Sequence, residues 1–269
     1  MYLQTKISLQ KMAEYDITDF LDEEELDTTL MEETLENDDR SREELLDDGL
    51  DSEGKELYFD VKSLYSTLQM VNTNYALLNK KRDEFTSKEA IYWMKKSQEE
   101  MDEFFREYLR LLHNYAASVH TLTHHTYTFL DRYENKAPEL RSKYSEELAA
   151  RNLGVKVNLL KQIRHYTQKN WEPPLSAKIS PSLGEDDEET LELSLDRDKM
   201  LDWDGWSSDV RPFLESFDES IIITDLAEEY QAEVNDFYDW LRMLILSTFY
   251  DKIAKFLTAS VLLERDRNI

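Results

Sequence analysis

The sequence predicts an all-α fold, an antiparallel helical bundle of long helices with a small β-hairpin or strand insert. Three observations predict it. Five glycines and five prolines in 269 residues are too few for the many turns of an all-β chain. Apolar residues recur at intervals of three and four along most of the chain, the period of a helix with one buried side. Thr190 to Leu195 alternates strictly instead, as a half-buried strand does. Apolar residues make up 41% and aromatic residues 12%, enough for one large core or two small ones. No long-period repeat is visible, which excludes a solenoid.

The net charge of −26 is unevenly spread: residues 16–56 hold nineteen Asp/Glu against three Lys/Arg, and the other 228 residues carry only −10. This divides the chain into an acidic, largely flexible N-terminal segment, 1–57, and a helical domain, 58–269, with its insert around 179–206. Residues 1–15 are mixed and suit a short helix. Scattered apolar residues in the acidic segment, Ile17, Phe20, Leu21, Leu26 and Leu30 among them, admit a second reading: an amphipathic stretch that folds on a protein partner or on the body's own basic groove. Such acidity repels nucleic acid unless basic residues cluster locally. Cysteine is absent, which excludes a disulfide framework and a thiolate metal site and fits a reducing, cytoplasmic setting. Met1–Leu9 lacks the apolar core of a signal peptide. Leu241–Leu263 is apolar, but Arg242, Asp251, Lys252 and Lys255 interrupt it, so it reads as a buried helix and no membrane association is expected.

The elements follow in order. Tyr58–Phe85 is predicted helical, with Leu64, Leu68, Val71, Tyr75 and Leu78 on one stripe and Lys80, Lys81 and Arg82 near its C-terminal end. Thr86 and Glu89 make a capping box that starts a second helix, Ser87 to Tyr133. Its stripe, Met101, Phe105, Tyr108, Leu112, Tyr115, Val119, Leu122, Thr126, Phe129 and Tyr133, has the alternating spacing of a bundle seam. Pro138 suits the first turn of a helix from Glu139 to about Arg151. Gly154 marks a joint before Val155–Asn170, which buries Val157, Leu160, Ile163 and Tyr166 and is stopped by Pro173 and Pro174. Ile179–Gly184 reads as a loop and Glu185–Glu189 as exposed. The Thr190–Leu195 strand needs a partner, from Ile179–Leu183 or Lys199–Leu201. A turn carries Trp203 and Trp206, Ser207 or Ser208 caps a short helix over Asp209–Ser216, and one last helix runs from Thr224 or Asp225 to Val261.

Few residues offer chemistry. GxSxG, P-loop and Gly-rich dinucleotide signatures are missing, and H-E-x-x-H is absent. His113, His120, His124 and His125 lie on the second long helix. Their spacing is open to a metal pair, His120 with His124 or His113 with His120, but reads better as polar flanks of a core stripe, so no metal and no cofactor is expected. Arg110, His113 and Asn114 share one shoulder of that helix, either as a hydrogen-bonded layer or facing Arg164 in a shared polar pocket. Arg164, His165, Tyr166 and Lys169 put a planar cation, an imidazole, a phenol and an ammonium within six residues, groups suited to phosphate binding and metal-free RNA chemistry.

The run Gln162, Ile163, Arg164, His165, Tyr166 to Lys169, followed by Pro173 and Pro174, resembles the motif helix end of HEPN-like (higher-eukaryote and prokaryote nucleotide-binding) proteins. Arg110 to Ser118 with Leu122 and His125 resembles an upstream helix of uncharacterised bacterial and archaeal members. Trp203, Trp206 and the closing helix with Tyr230, Phe237 and Trp240 are similar too, so the resemblance covers about residues 60–260. It implies an all-helical bundle, a homodimer with a cleft between paired motif helices, and, in many members, a metal-independent RNase of toxin–antitoxin or antiviral defence. The family signature is R-x4–6-H. Arg164 matches its Arg and His165 the polar residue after it, but Lys169 stands where R-x4-H carries its His. A lysine of ordinary pKa is a poor general base at neutral pH, so the resemblance implies a weak or dead nuclease. Three readings follow: a HEPN-like module that binds RNA, a nucleotide or a protein without cleaving; an active RNase using Arg164 with His165 or Lys169; and a structural interaction protein with no ligand.

Overall fold

The computed structural model describes residues 41–50, 53–86, 97–170, 174–180 and 190–267. The fold over these residues is mostly helical with one small antiparallel sheet. The order is α1 (Arg42–Leu50), α2 (Glu53–Thr86), α3 (Gln98–Tyr133), α4 (Glu139–Ala150), α5 (Leu153–Asn170), β1 (Leu175–Ser180), β2 (Thr190–Asp196), α6 (Arg197–Leu201), α7 (Val210–Glu215), β3 (Ser220–Ile222), α8 (Ile223–Thr248) and α9 (Tyr250–Arg267). The capping box at Thr86–Glu89 and the acidic run Glu185–Glu189 lie largely or wholly outside the described residues, as do residues 1–40.

The described residues divide into two units, one built from those up to Tyr65 and from Trp240 onward, the other from those within Ser66–Asp239. In the first unit, α1 packs on α9. A reciprocal capping box opens α1: the Glu44 amide donates to Ser41 Oγ at 3.3 Å and the Ser41 amide to the Glu44 carboxylate at 2.8 Å. Within the acidic segment, Arg42–Leu50 is helical, and α2 begins at Glu53, five residues before the predicted start. Lys252 holds Glu53 at 2.8 Å, and Phe256 packs its ring 5.3 Å from that of Tyr58.

The predicted single last helix is two, α8 and α9, divided at Phe249. Ser247 Oγ and Thr248 Oγ1 both donate to the Leu244 carbonyl, at 2.9 and 2.7 Å.

The second unit is bundle-like and contains the candidate site. Its core takes Val71 and Leu78 from α2, Tyr108, Leu112, Tyr115, Val119 and Leu122 from α3, Leu160 and Ile163 from α5, and Tyr230, Val234 and Phe237 from α8, all buried. Each fully buried side chain of this size stabilises the fold by about 1.5–3 kcal/mol. At the start of α3 the seam differs from the predicted stripe: Phe104 is buried and Met101 and Phe105 are half-exposed. Ser97 caps α3, accepting from the Glu100 amide. The joint before α5 is Asn152, at φ 53°, and not Gly154, which is helical. Asparagine tolerates that left-handed conformation because its short polar side chain can bond locally.

The strand prediction at 190–195 extends to Asp196, and β2 is the central strand. Its partner begins earlier than expected, with Leu175 opposite Leu195 and Ala177 opposite Leu193, and its other edge takes β3, with Leu195 opposite Ile221. Lys199–Leu201 lies in α6 instead of the sheet, because Asp196 accepts from the Lys199 amide at 3.0 Å and caps a helix there. Ile221 and Ile222 extend as β3 before α8 starts.

Candidate functional site

Helix α5 is fixed from two sides. Along one side, Asn158 donates to Asp209 at 2.7 Å, and Gln162 exchanges two bonds with Ser207, at 2.6 Å from its amide nitrogen and 2.8 Å to its amide oxygen. One turn on, Tyr166 lies parallel to Trp206, with ring centroids 5.8 Å apart and planes at 12°, and edge-on to Trp203 at 5.5 Å. Trp206 is itself held by its indole N–H, which donates to the Met200 carbonyl at 2.6 Å. Tyr166 is thus a buried anchor of the helix, and burial, with Asp202 nearby, pushes its phenol pKa up.

The other fixed side faces α3. His113 Nδ1 lies 2.9 Å from Thr167 Oγ1, and Thr167 Oγ1 donates to the Arg164 carbonyl at 2.8 Å. The hydroxyl's one hydrogen is committed to the carbonyl, so His113 Nδ1 carries the proton and donates to Thr167. His125, twelve residues on, makes the matching contact with α2, its Nδ1 2.9 Å from Thr67 Oγ1. These two histidines hold helices together.

His120 and His165 do something else. Their rings face each other from α3 and α5, with centroids 6.2 Å apart and planes at 57°. No hydrogen bond occupies either ring among the described residues. His165 is exposed and sits next to Arg164, with Lys161 and Lys169 four residues before and after it. Partial desolvation and then Arg164, His120, Lys169 and Lys161 lower its pKa from the ordinary imidazole value. The field of these neighbours is positive, and none of Lys161, Arg164 or Lys169 makes an ion pair with a described residue.

The residues singled out in the sequence therefore separate. Arg164, His165 and Lys169 share one positive surface, which His120 completes. His113 supports it from behind. Arg110 turns away to Glu107, three residues back on its own helix, at 2.8 and 2.6 Å, and takes no part in a shared pocket. That pairing lowers the Glu107 pKa, the hydrogen bond from Arg110 being the main cause. Asn114 is half-buried on the same α3 turn. Lys161 and His120 are the additions. Lys161 was legible as the i−4 neighbour of His165, whereas His120 reaches the site only through the packing of α3 on α5. Among the described residues no group of three or more His, Asp or Glu is arranged to hold a metal ion, and no helix is long and apolar enough to cross a membrane.

No family model, curated protein or solved structure matches this chain.

Proposed function

We propose that the chain is a HEPN-like module that binds RNA or a nucleotide through its phosphates, on the surface formed by Lys161, Arg164, His165, Lys169 and His120. One observation supports this reading above all: three cations with no acidic partner, and two imidazoles with no hydrogen bond, among the described residues gather at one place in a chain of net charge −26. Acidic partners are plentiful elsewhere, as Lys156 shows by pairing with both Glu229 and Glu233 at 3.0 and 3.4 Å. Keeping this surface unpaired suits a group that must meet phosphate. Arg164 supplies a planar fork of donors, and Lys161 and Lys169 supply point charges along the backbone path. Lys169 occupies the position of the motif's imidazole, and the Arg164–Lys169 pair contributes binding charge. The same reading has the module work in the cytoplasm as a homodimer.

The test is fluorescence anisotropy of a labelled single-stranded RNA with the full chain across a salt series. Binding is expected to weaken steeply with salt, and Arg164→Ala and Lys169→Ala are each expected to reduce the logarithmic salt slope by about 0.7, one phosphate contact on a single strand. Absence of binding at low salt, or binding indifferent to both substitutions in folded protein, overturns the reading.

A further inference from the structure

We propose that the half-exposed indole of Trp203 is a platform on which an unpaired nucleobase stacks, so that this surface takes single-stranded RNA in preference to a duplex. The proposal rests on the RNA-binding reading and adds a group that meets the base, where the cations meet only phosphate.

Helical spacing brings the cations to this indole. Tyr166 directly follows His165 and stands three residues before the exposed Lys169, so Tyr166 and Lys169 share one side of α5. Trp203 packs perpendicular to Tyr166, with centroids 5.5 Å apart, and perpendicular to Trp206 at 4.7 Å. The indole thus borders the positive surface at its Lys169 end.

The ring is held in place without being covered. A Cβ at Gly205 would stand 2.2 Å from Trp203 Cζ2, so only bare main chain can pass there. The Trp203 amide donates to the Met200 carbonyl at 3.2 Å, and Arg211 donates to the Leu201 and Trp203 carbonyls at 3.0 and 3.3 Å. Trp206, in the same turn, is buried and commits its indole N–H to Met200. Trp203 is half-exposed, and its indole N–H has no hydrogen bond among the described residues. One tryptophan closes the core, and the other presents a fixed aromatic surface to solvent. A ring already fixed loses little freedom when a base stacks on it.

Charge sorts the two halves of a nucleotide. Asp202 and Asp204 flank Trp203, and both are exposed, so phosphate is repelled from the ring. Lys161, Arg164 and Lys169 attract it along α5. A base carries no net charge, and its π-face stacks on an aromatic ring whatever the sequence. Inside a duplex the faces of each base are covered by its stacked neighbours, so the platform needs an unpaired strand.

The experiment measures anisotropy of one labelled RNA, alone and annealed to its complement, with inorganic polyphosphate as a competitor that carries charge but no base. The full chain is compared with Trp203→Leu, which keeps apolar bulk, and Trp203→Phe, which keeps a ring. The wild type is expected to favour the single strand over the duplex. Trp203→Leu should weaken single-strand binding by about 5–150-fold, the loss of one stacked base. Trp203→Phe should restore most of it, and neither variant should change the salt slope or the competition by polyphosphate. RNA should also quench indole emission in the wild type, and that quenching should be lost in Trp203→Phe, a comparison that needs only the conservative variant to fold. Single-strand binding equal in wild type and Trp203→Leu, duplex bound as tightly as single strand, or equal quenching in Trp203→Phe overturns this inference and leaves the phosphate reading in place. Equal weakening toward RNA and polyphosphate in Trp203→Leu would make the ring a structural support and also overturns it. RNA not bound at all removes both.

Discussion

His113 Nδ1 and Thr167 Oγ1 meet at 2.9 Å across the seam between α3 and α5, and the same hydroxyl donates to the carbonyl of Arg164. The imidazole therefore acts on the site through the backbone: it holds the hydroxyl that holds the turn from which the Arg164 side chain leaves. Replacing His113 by Ala deletes one half-buried hydrogen bond, which costs about 0.5–1.5 kcal/mol of stability. Thr167→Val is expected to cost a similar amount, and the double variant should show less than the sum, since the two residues share the interaction. Denaturant unfolding of the four proteins measures this. A loss of RNA affinity in His113→Ala with unchanged stability would instead make His113 a ligand contact.

Gly49 and Ala259 fix how α1 lies on α9. A Cβ added at Gly49 would sit 2.3 Å from Ala259 Cβ and 2.7 Å from the Lys255 carbonyl oxygen, both on α9. The second neighbour is backbone and does not move aside. Gly49→Leu is expected to displace α1, expose the buried Leu45 and cost about 1–3 kcal/mol in this unit. Limited proteolysis reads it directly: the wild type should be protected through Arg42–Leu50, and the variant cut there. Equal protection in both proteins would show that α1 does not depend on this contact.

Period and punctuation made most of the fold legible. The apolar spacing of α3 named the deep seam from Tyr108 to Tyr133 but not the flanking Leu111, Ala116, Ser118, Thr123 and Leu130, and alternation from Thr190 located β2. Misses arose where chemistry outside the pattern decided. Asn152 took the left-handed joint assigned to Gly154, the last helix divides at Phe249, and Asp196 capped a helix where a strand partner was sought. For the site, Arg164, His165 and Lys169 stood together in the sequence and remain together in space. Arg110 was expected beside them because i, i+3 and i, i+4 spacing gives a shared helix face, but spacing does not say which neighbour a long side chain chooses, and Glu107 was nearer. His120 and His165 are 45 positions apart, and only the register of α3 against α5 brings them together.

The His165 environment makes RNA binding sensitive to pH, with a sign that can be worked out. In the free protein, desolvation leads and Arg164, His120, Lys169 and Lys161 follow in holding its pKa below the ordinary value of about 6.5. Near pH 7 the ring is therefore mostly neutral. A phosphate beside it favours the imidazolium and raises that pKa, so binding takes up a proton, and affinity must increase as pH falls below the pKa of the complex. One proton taken up corresponds to at most about tenfold in affinity per pH unit. Folding stability runs the other way. The folded pKa lies below the unfolded one, so the unfolded chain binds the proton first, and this contribution is lost as pH falls from about 6.5 through the folded value. Anisotropy titrations between pH 8 and 5.5 at constant ionic strength should show the wild type tightening on acidification. His165→Gln should tighten less. A wild-type affinity flat over this range, or a variant with the same slope, would mean that the His165 ring does not meet the phosphate.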